Sequence, residues 1–154
     1  MEIDVENSVY GQRAKQLFLE GCNCSQSVFL AFEDKYDMDH STAMKLSSSF
    51  GGGMGRLREV CGAVSGMFMV AGILYGYDEP KDFEHYARIQ QLAAEYQKRN
   101  GSIVCRELLG LGKGKDDPTP SKRTQEYYKK RPCPDLAATA AAIMEAYIRE
   151  QENA

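Results

Sequence analysis

The chain carries five cysteines, and no two of them form a CxxC pair. Thiolates attack disulfides and ligate soft metals, so their placement decides what chemistry is open to them. Apolar periodicity puts Cys24 at the start of a second helix and Cys61 in the first turn of a fourth. Cys105 falls near the start of a short helix, and Cys133, directly before Pro134, reads as the N-cap of the last one. A helix N-terminus carries about half a positive charge and unpaired N–H donors, which lower a thiol pKa. Arg56 and Arg58 stand beside Cys61, Arg106 beside Cys105 and Arg131 beside Cys133. On this reading Cys61 is the most activated thiol. Cys22, with only the CxC proximity to Cys24, is the least important. The competing reading is four unrelated small residues at helix ends, since free cysteine is a habitual core residue. Five cysteines are few, and odd in number, for a disulfide scaffold.

The glycines add a second pattern. Gly51, Gly52 and Gly53 open "GGGMGR" with Arg56, a run able to offer amide N–H groups to an anion but lacking the Lys-Ser/Thr ending of a P-loop. Gly62 and Gly66 share one face of the fourth helix, and Gly72 and Gly76 repeat the spacing. Such glycines admit a close neighbour, a packed helix ahead of a cofactor. His40 and His85 read as surface residues on helices. No Ser-His-Asp arrangement, HExxH motif or marked carboxylate pair accompanies them.

The elements that must position these residues are helical. Tyr10, Ala14, Leu17 and Phe18 form one stripe, closed by Gly21. Val28, Phe29, Phe32 and Tyr36 form the next, capped by Asn23 or Cys24. Asp39 caps a third, with Ala43, Leu46 and Phe50 inward. Pro80 opens a long helix with Tyr86, Ile89, Ala93 and Tyr96 inward, and Ser102 caps the short one. Leu136, Ala140, Ile143, Met144 and Tyr147 line the last. Met67 and Met69 read as core. The expectation is an all-α single-domain bundle, residues 1–154, of five to six helices around a buried Gly-rich helix at about 58–76, with a loop at 110–124. That helix is expected to be the most buried element. Net charge is −3, which argues against a nucleic-acid surface. The short basic runs at 113–115 and 129–131 read as solvated. The longest apolar stretch, from Val60 to Gly76, falls short of the ~20 residues of a membrane span. With no apolar run near the start, the expectation is a cytoplasmic protein.

"GCNCSQSV", "FGGGMGRLREVCGAVSG", "CRELLG" and "RPCPDL", in that order, closely resemble the C_GCAxxG_C_C family of small redox-active proteins. The motif stands here as Cys61-Gly62-Ala63-Val64-Ser65-Gly66. The resemblance implies that Cys24, Cys61, Cys105 and Cys133 are the family cysteines, and that Cys22 is an extra. It implies a redox or metal role without fixing a reaction.

Two functions compete. In the first, the four cysteines converge, either as ligands of an iron–sulfur cluster or other metal or as thiols that cycle with disulfides. The cofactor is then unknown, and so is the redox partner. In the second, the chain is a structural or partner-binding module with inert buried thiols. An enzyme acting on a small thiol or disulfide would need a pocket. An apolar face left exposed by the fourth helix would imply a homodimer.

Overall fold

The computed structural model describes residues 1–79, 84–111 and 115–154. Their helices are α1 (Val9–Leu19), α2 (Cys24–Ala31), α3 (His40–Ser48), α4 (Gly62–Tyr75), α5 (His85–Asn100), α6 (Cys105–Leu108), α7 (Gln125–Lys130) and α8 (Cys133–Glu152). The protein is all-helical, with an isolated antiparallel bridge between Val60 and Val104. The helix count exceeds the five to six expected; the short helix at Cys105 is among those expected, whereas α7, with six residues, is too short to show a period. The expected start at Pro80 lies outside the described residues, as does part of the 110–124 loop. The described part of that loop, from residue 115 on, is irregular. Among the described residues no helix is long and apolar enough to cross a membrane.

Local chemistry sets the helix starts. Asn23 and Gln26 form a reciprocal capping box on α2, and the Asp39 carboxylate takes the Thr42 N–H. Gly21 (φ 121°) and Gly101 (φ 88°) end α1 and α5 in conformations that favour glycine. Ser102 does not cap α6. It takes the Val104 N–H and donates to Glu107, and the helix begins one residue later, at Cys105. Cys133 is the first helical residue of α8 and not its cap, with Pro134 second.

The core centres on α8, which packs against α1, α2, α4 and α5. Thirteen of its 20 residues are buried, against eight of the 14 in α4. The glycine-rich helix is therefore not the most buried element. It starts at Gly62, not near residue 58, and its last turns emerge, with Ile73 40% exposed. Ala-rich α8 can lie close to four neighbours because its side chains are small. Gly62 and Gly66 bring α4 against α2. A Cβ at Gly66 would stand 2.7 Å from the Ser25 carbonyl oxygen, and one at Gly62 3.2 Å from the Ser25 nitrogen. Gly72 has open space around it and serves no such contact. Leu46 and Tyr86, expected inward, are exposed at 52% and 70%. Leu92 and Tyr96 carry the α5 face instead. His85, expected on the surface, is buried and takes a hydrogen bond from Arg88 (3.1 Å).

The segment joining α3 to α4 is unusual. Residues 52 to 56 all have φ between 63° and 70°, and Arg58 has φ 60°. This left-handed turn departs from an ordinary helix at Gly51–Met54. Each of Met54, Arg56 and Arg58 bears about 1–2 kcal/mol for it. At Gly53 a Cβ would lie 2.6 Å from Cys105 Cβ and 2.9 Å from the Glu59 nitrogen. The turn thus lays its backbone against α6.

Candidate functional site

Cys24, Cys61, Cys105 and Cys133 line one cavity of about 260 Å³. Three constructions bring them there. Cys24 and Cys133 begin α2 and α8, two helices packed together. Cys61 and Cys105 are fixed by the bridge: Cys61 N–H donates to the Ile103 carbonyl (2.7 Å) and Cys105 N–H to the Glu59 carbonyl (2.6 Å). The left-handed turn closes one wall with Gly51, Gly52, Gly53 and Arg56, and Gly62 adds to the lining. Gly66, grouped with these from the sequence, is not in the lining. It is a packing residue. Cys22 is half-buried and outside the cavity.

The thiols have different neighbours. Each of Cys24 and Cys133 is the largest influence on the other's acidity. Cys24 pulls the Cys133 pKa down to about 7 against the cost of burial, helped by Arg131 and the Tyr127 hydroxyl. Cys24, fully buried, is pushed up as the partner that keeps the proton. Cys61 sits at the N-cap of α4, where the Ala63 and Val64 N–H groups favour its charged form without making a capping bond of full geometry. Its sulfur lies 3.4 Å from the Tyr96 hydroxyl. Burial outweighs these and pushes it up to about 11. Burial also raises Cys105, opposed by Arg58, whose Nη1 is 3.5 Å from the sulfur.

The expectation that Cys61 is the activated thiol is therefore corrected. Arg58 reaches Cys105 and Asp116 (2.9 Å), and Arg56 reaches the Asp117 carbonyl (2.6 Å) and Ser121 (3.3 Å). Neither arginine is bonded to Cys61. The thiol drawn down is Cys133. Among the described residues, no group of three or more His, Cys, Asp or Glu side chains is placed to hold a metal ion.

The chain from residue 116 to 123 crosses the cavity as a strap, lining it with Pro118, Pro120, Ser121 and Arg123. Arginines tie it down. Asp116 pairs with both Arg58 and Arg56, and the Arg56 carbonyl accepts the Asp116 N–H (2.9 Å). Arg123 stacks on Phe18, 3.9 Å from the ring centroid, and donates to the Phe18 and Cys22 carbonyls. Sequence reading missed Tyr96, Tyr127, Asp116 and Arg123. Only Tyr127, six residues before Cys133, had a local signal in its nearness.

The family model C_GCAxxG_C_C, described as "Putative redox-active protein", matches residues 22–147. No curated protein and no solved structure matches the chain.

Proposed function

The chain belongs to the C_GCAxxG_C_C family, and we propose that within it this protein is a thiol–disulfide oxidoreductase whose working pair is Cys133 and Cys24. One observation carries the reading: from the starts of two packed helices the two thiols line the same cavity, each the largest influence on the other's acidity, with Cys133 the more acidic. Near-neutral pKa gives Cys133 a substantial thiolate fraction at pH 7 and keeps it a competent nucleophile.

The reaction runs in two exchanges. The Cys133 thiolate attacks one sulfur of a disulfide R–S–S–R′. The S–S bond breaks, a Cys133–S–S–R bond forms, and R′S⁻ leaves. Cys24 then gives up its proton to the departing thiolate and attacks Cys133 Sγ. The Cys24–Cys133 disulfide forms and RS⁻ leaves. Two electrons pass from the dithiol to the substrate, and the reverse sequence oxidises a dithiol. Tyr127 and Arg131 steady the charge on Cys133. Cys61 and Cys105 fill the adjoining wall.

The test is chemical trapping. A Cys24→Ser variant should accumulate the mixed disulfide on Cys133, read by mass spectrometry. The parent should give the Cys24–Cys133 disulfide, and Cys133→Ser neither. Mixed disulfide on any other cysteine would overturn the assignment. A second reading, a metal or iron–sulfur centre on Cys24, Cys61, Cys105 and Cys133, has their shared cavity in its favour and their present spacing against it. Stoichiometric iron or zinc in anaerobically purified protein, lost in each of the four serine variants, decides for it. Thiols that react only after denaturation decide for an inert module.

A further inference from the structure

The cavity is lined by four arginines, Arg56, Arg58, Arg123 and Arg131, and among the described residues by no aspartate or glutamate. In a chain of net charge −3 that is a local inversion of sign. Three of the four are committed. Arg58 and Arg56 share Asp116 at 2.9 and 3.4 Å, and Arg123 is spent on two carbonyls. Arg131 differs. Its Nη1 is buried and finds no hydrogen-bond partner among the described residues. A buried donor on a cation left unmade is unfavourable, and a ligand that accepts from it removes the cost. Arg131 lines the same cavity as Cys133, two residues along the chain, and its charge favours the thiolate of both Cys133 and Cys105.

Size narrows the ligand. A cavity of about 260 Å³, roofed by the strap, is at the small end of ligand pockets, with room for a molecule of amino-acid dimensions and not for a folded chain. A planar fork suits a carboxylate or similar oxyanion.

Building on the dithiol reading, we propose that the cavity takes a small anionic disulfide and its thiol product, the anionic group on Arg131 and the sulfur at Cys133. The charge of the substrate, and not only its disulfide bond, is then what the site recognises. Nothing larger than the cavity is reduced directly, and Arg131 sets specificity.

Two measurements test this. Reduced parent is oxidised by dithiodipropionate (dianion), hydroxyethyl disulfide (neutral) and cystamine (dication), and rates are compared as ratios. Ratios cancel any change in Cys133 acidity. The parent should prefer the dianion over the neutral disulfide, and the neutral over the dication. In Arg131→Gln the anion-to-neutral ratio should fall about tenfold, with Arg131→Lys between, because charge survives but the fork does not. Separately, the redox-inert thioether thiodipropionate is titrated by calorimetry against parent and Arg131→Gln, with neutral thiodiethanol as control. Saturable binding of the dianion alone, weakened about tenfold by Arg131→Gln, is the expected result. Circular dichroism confirms that the variants fold. Equal rates for the three disulfides, or no dianion binding, would overturn the anionic pocket while leaving the dithiol reading standing. Dianion binding without any disulfide exchange would keep the pocket and sink the dithiol.

Discussion

Cys133 and Cys61 both stand at the start of a helix, yet their surroundings push them in opposite directions. Helix termini give each a favourable field. Each also has a tyrosine hydroxyl at hand; what differs is Cys24 and Arg131 beside Cys133 against burial around Cys61 that the Tyr96 hydroxyl does not offset. Residue types and spacing located all four cysteines at helix starts but ranked Cys61 first, because the influences of Cys24, Tyr127 and Tyr96 come through the tertiary fold. The ranking is testable with a limiting amount of iodoacetamide and peptide mapping. Cys133 should be alkylated first, with a rate rising through a midpoint near pH 7. Cys61, held to about 11, should be the last of the two by a wide margin across pH 6–9. Cys61→Ser should leave formation of the Cys24–Cys133 disulfide intact.

At the scale of elements, the left-handed turn and the two kinds of glycine in α4 make separable claims. Long helices with caps and apolar stripes were legible from sequence, since α1, α2, α3 and α8 follow local rules. The 52–58 turn was not. A glycine run announces freedom and leaves the conformation to its neighbours. The paired test uses alanine. Gly53→Ala combines a φ of 70° with contact on Cys105 and should cost roughly 2–5 kcal/mol, lowering Tm. Gly72→Ala, in a helix with open space around it, should gain about 0.5–1 kcal/mol and raise Tm. Gly62 and Gly66, which suit a packed helix ahead of a cofactor, contact α2, and Gly62 also lines the cavity.

For the whole molecule, buried acids make stability depend on pH in two opposed ways. Cys24, Cys61 and Tyr96 are raised by the fold, so the native state keeps protons that the unfolded chain releases. Their contribution is intact below the ordinary thiol and phenol values, about 8.5 and 10, and is lost as pH climbs past them. Cys133 is lowered, so its contribution is complete above about 8.5 and is lost as pH falls through about 7. Thermal melts should therefore show parent gaining on Cys133→Ser between pH 6.5 and 8.5, and both falling off together in stronger alkali. A parent and variant that track each other through neutral pH would show that Cys133 is an ordinary thiol.

Cys24 stands in the second helix and Cys133 opens the last. A bond between them would close a ring holding most of the chain, a loop of roughly 110 residues. On the chain-entropy account such a ring removes enough freedom from the unfolded state to add about 4.7 kcal/mol. Linkage works both ways, so the folded scaffold would lower the reduction potential of the pair by about 100 mV relative to the same cysteines in an unfolded chain. The oxidised protein should then melt well above the reduced one. The electron carrier and the staple would be one bond, and each turnover would tighten and loosen the whole bundle.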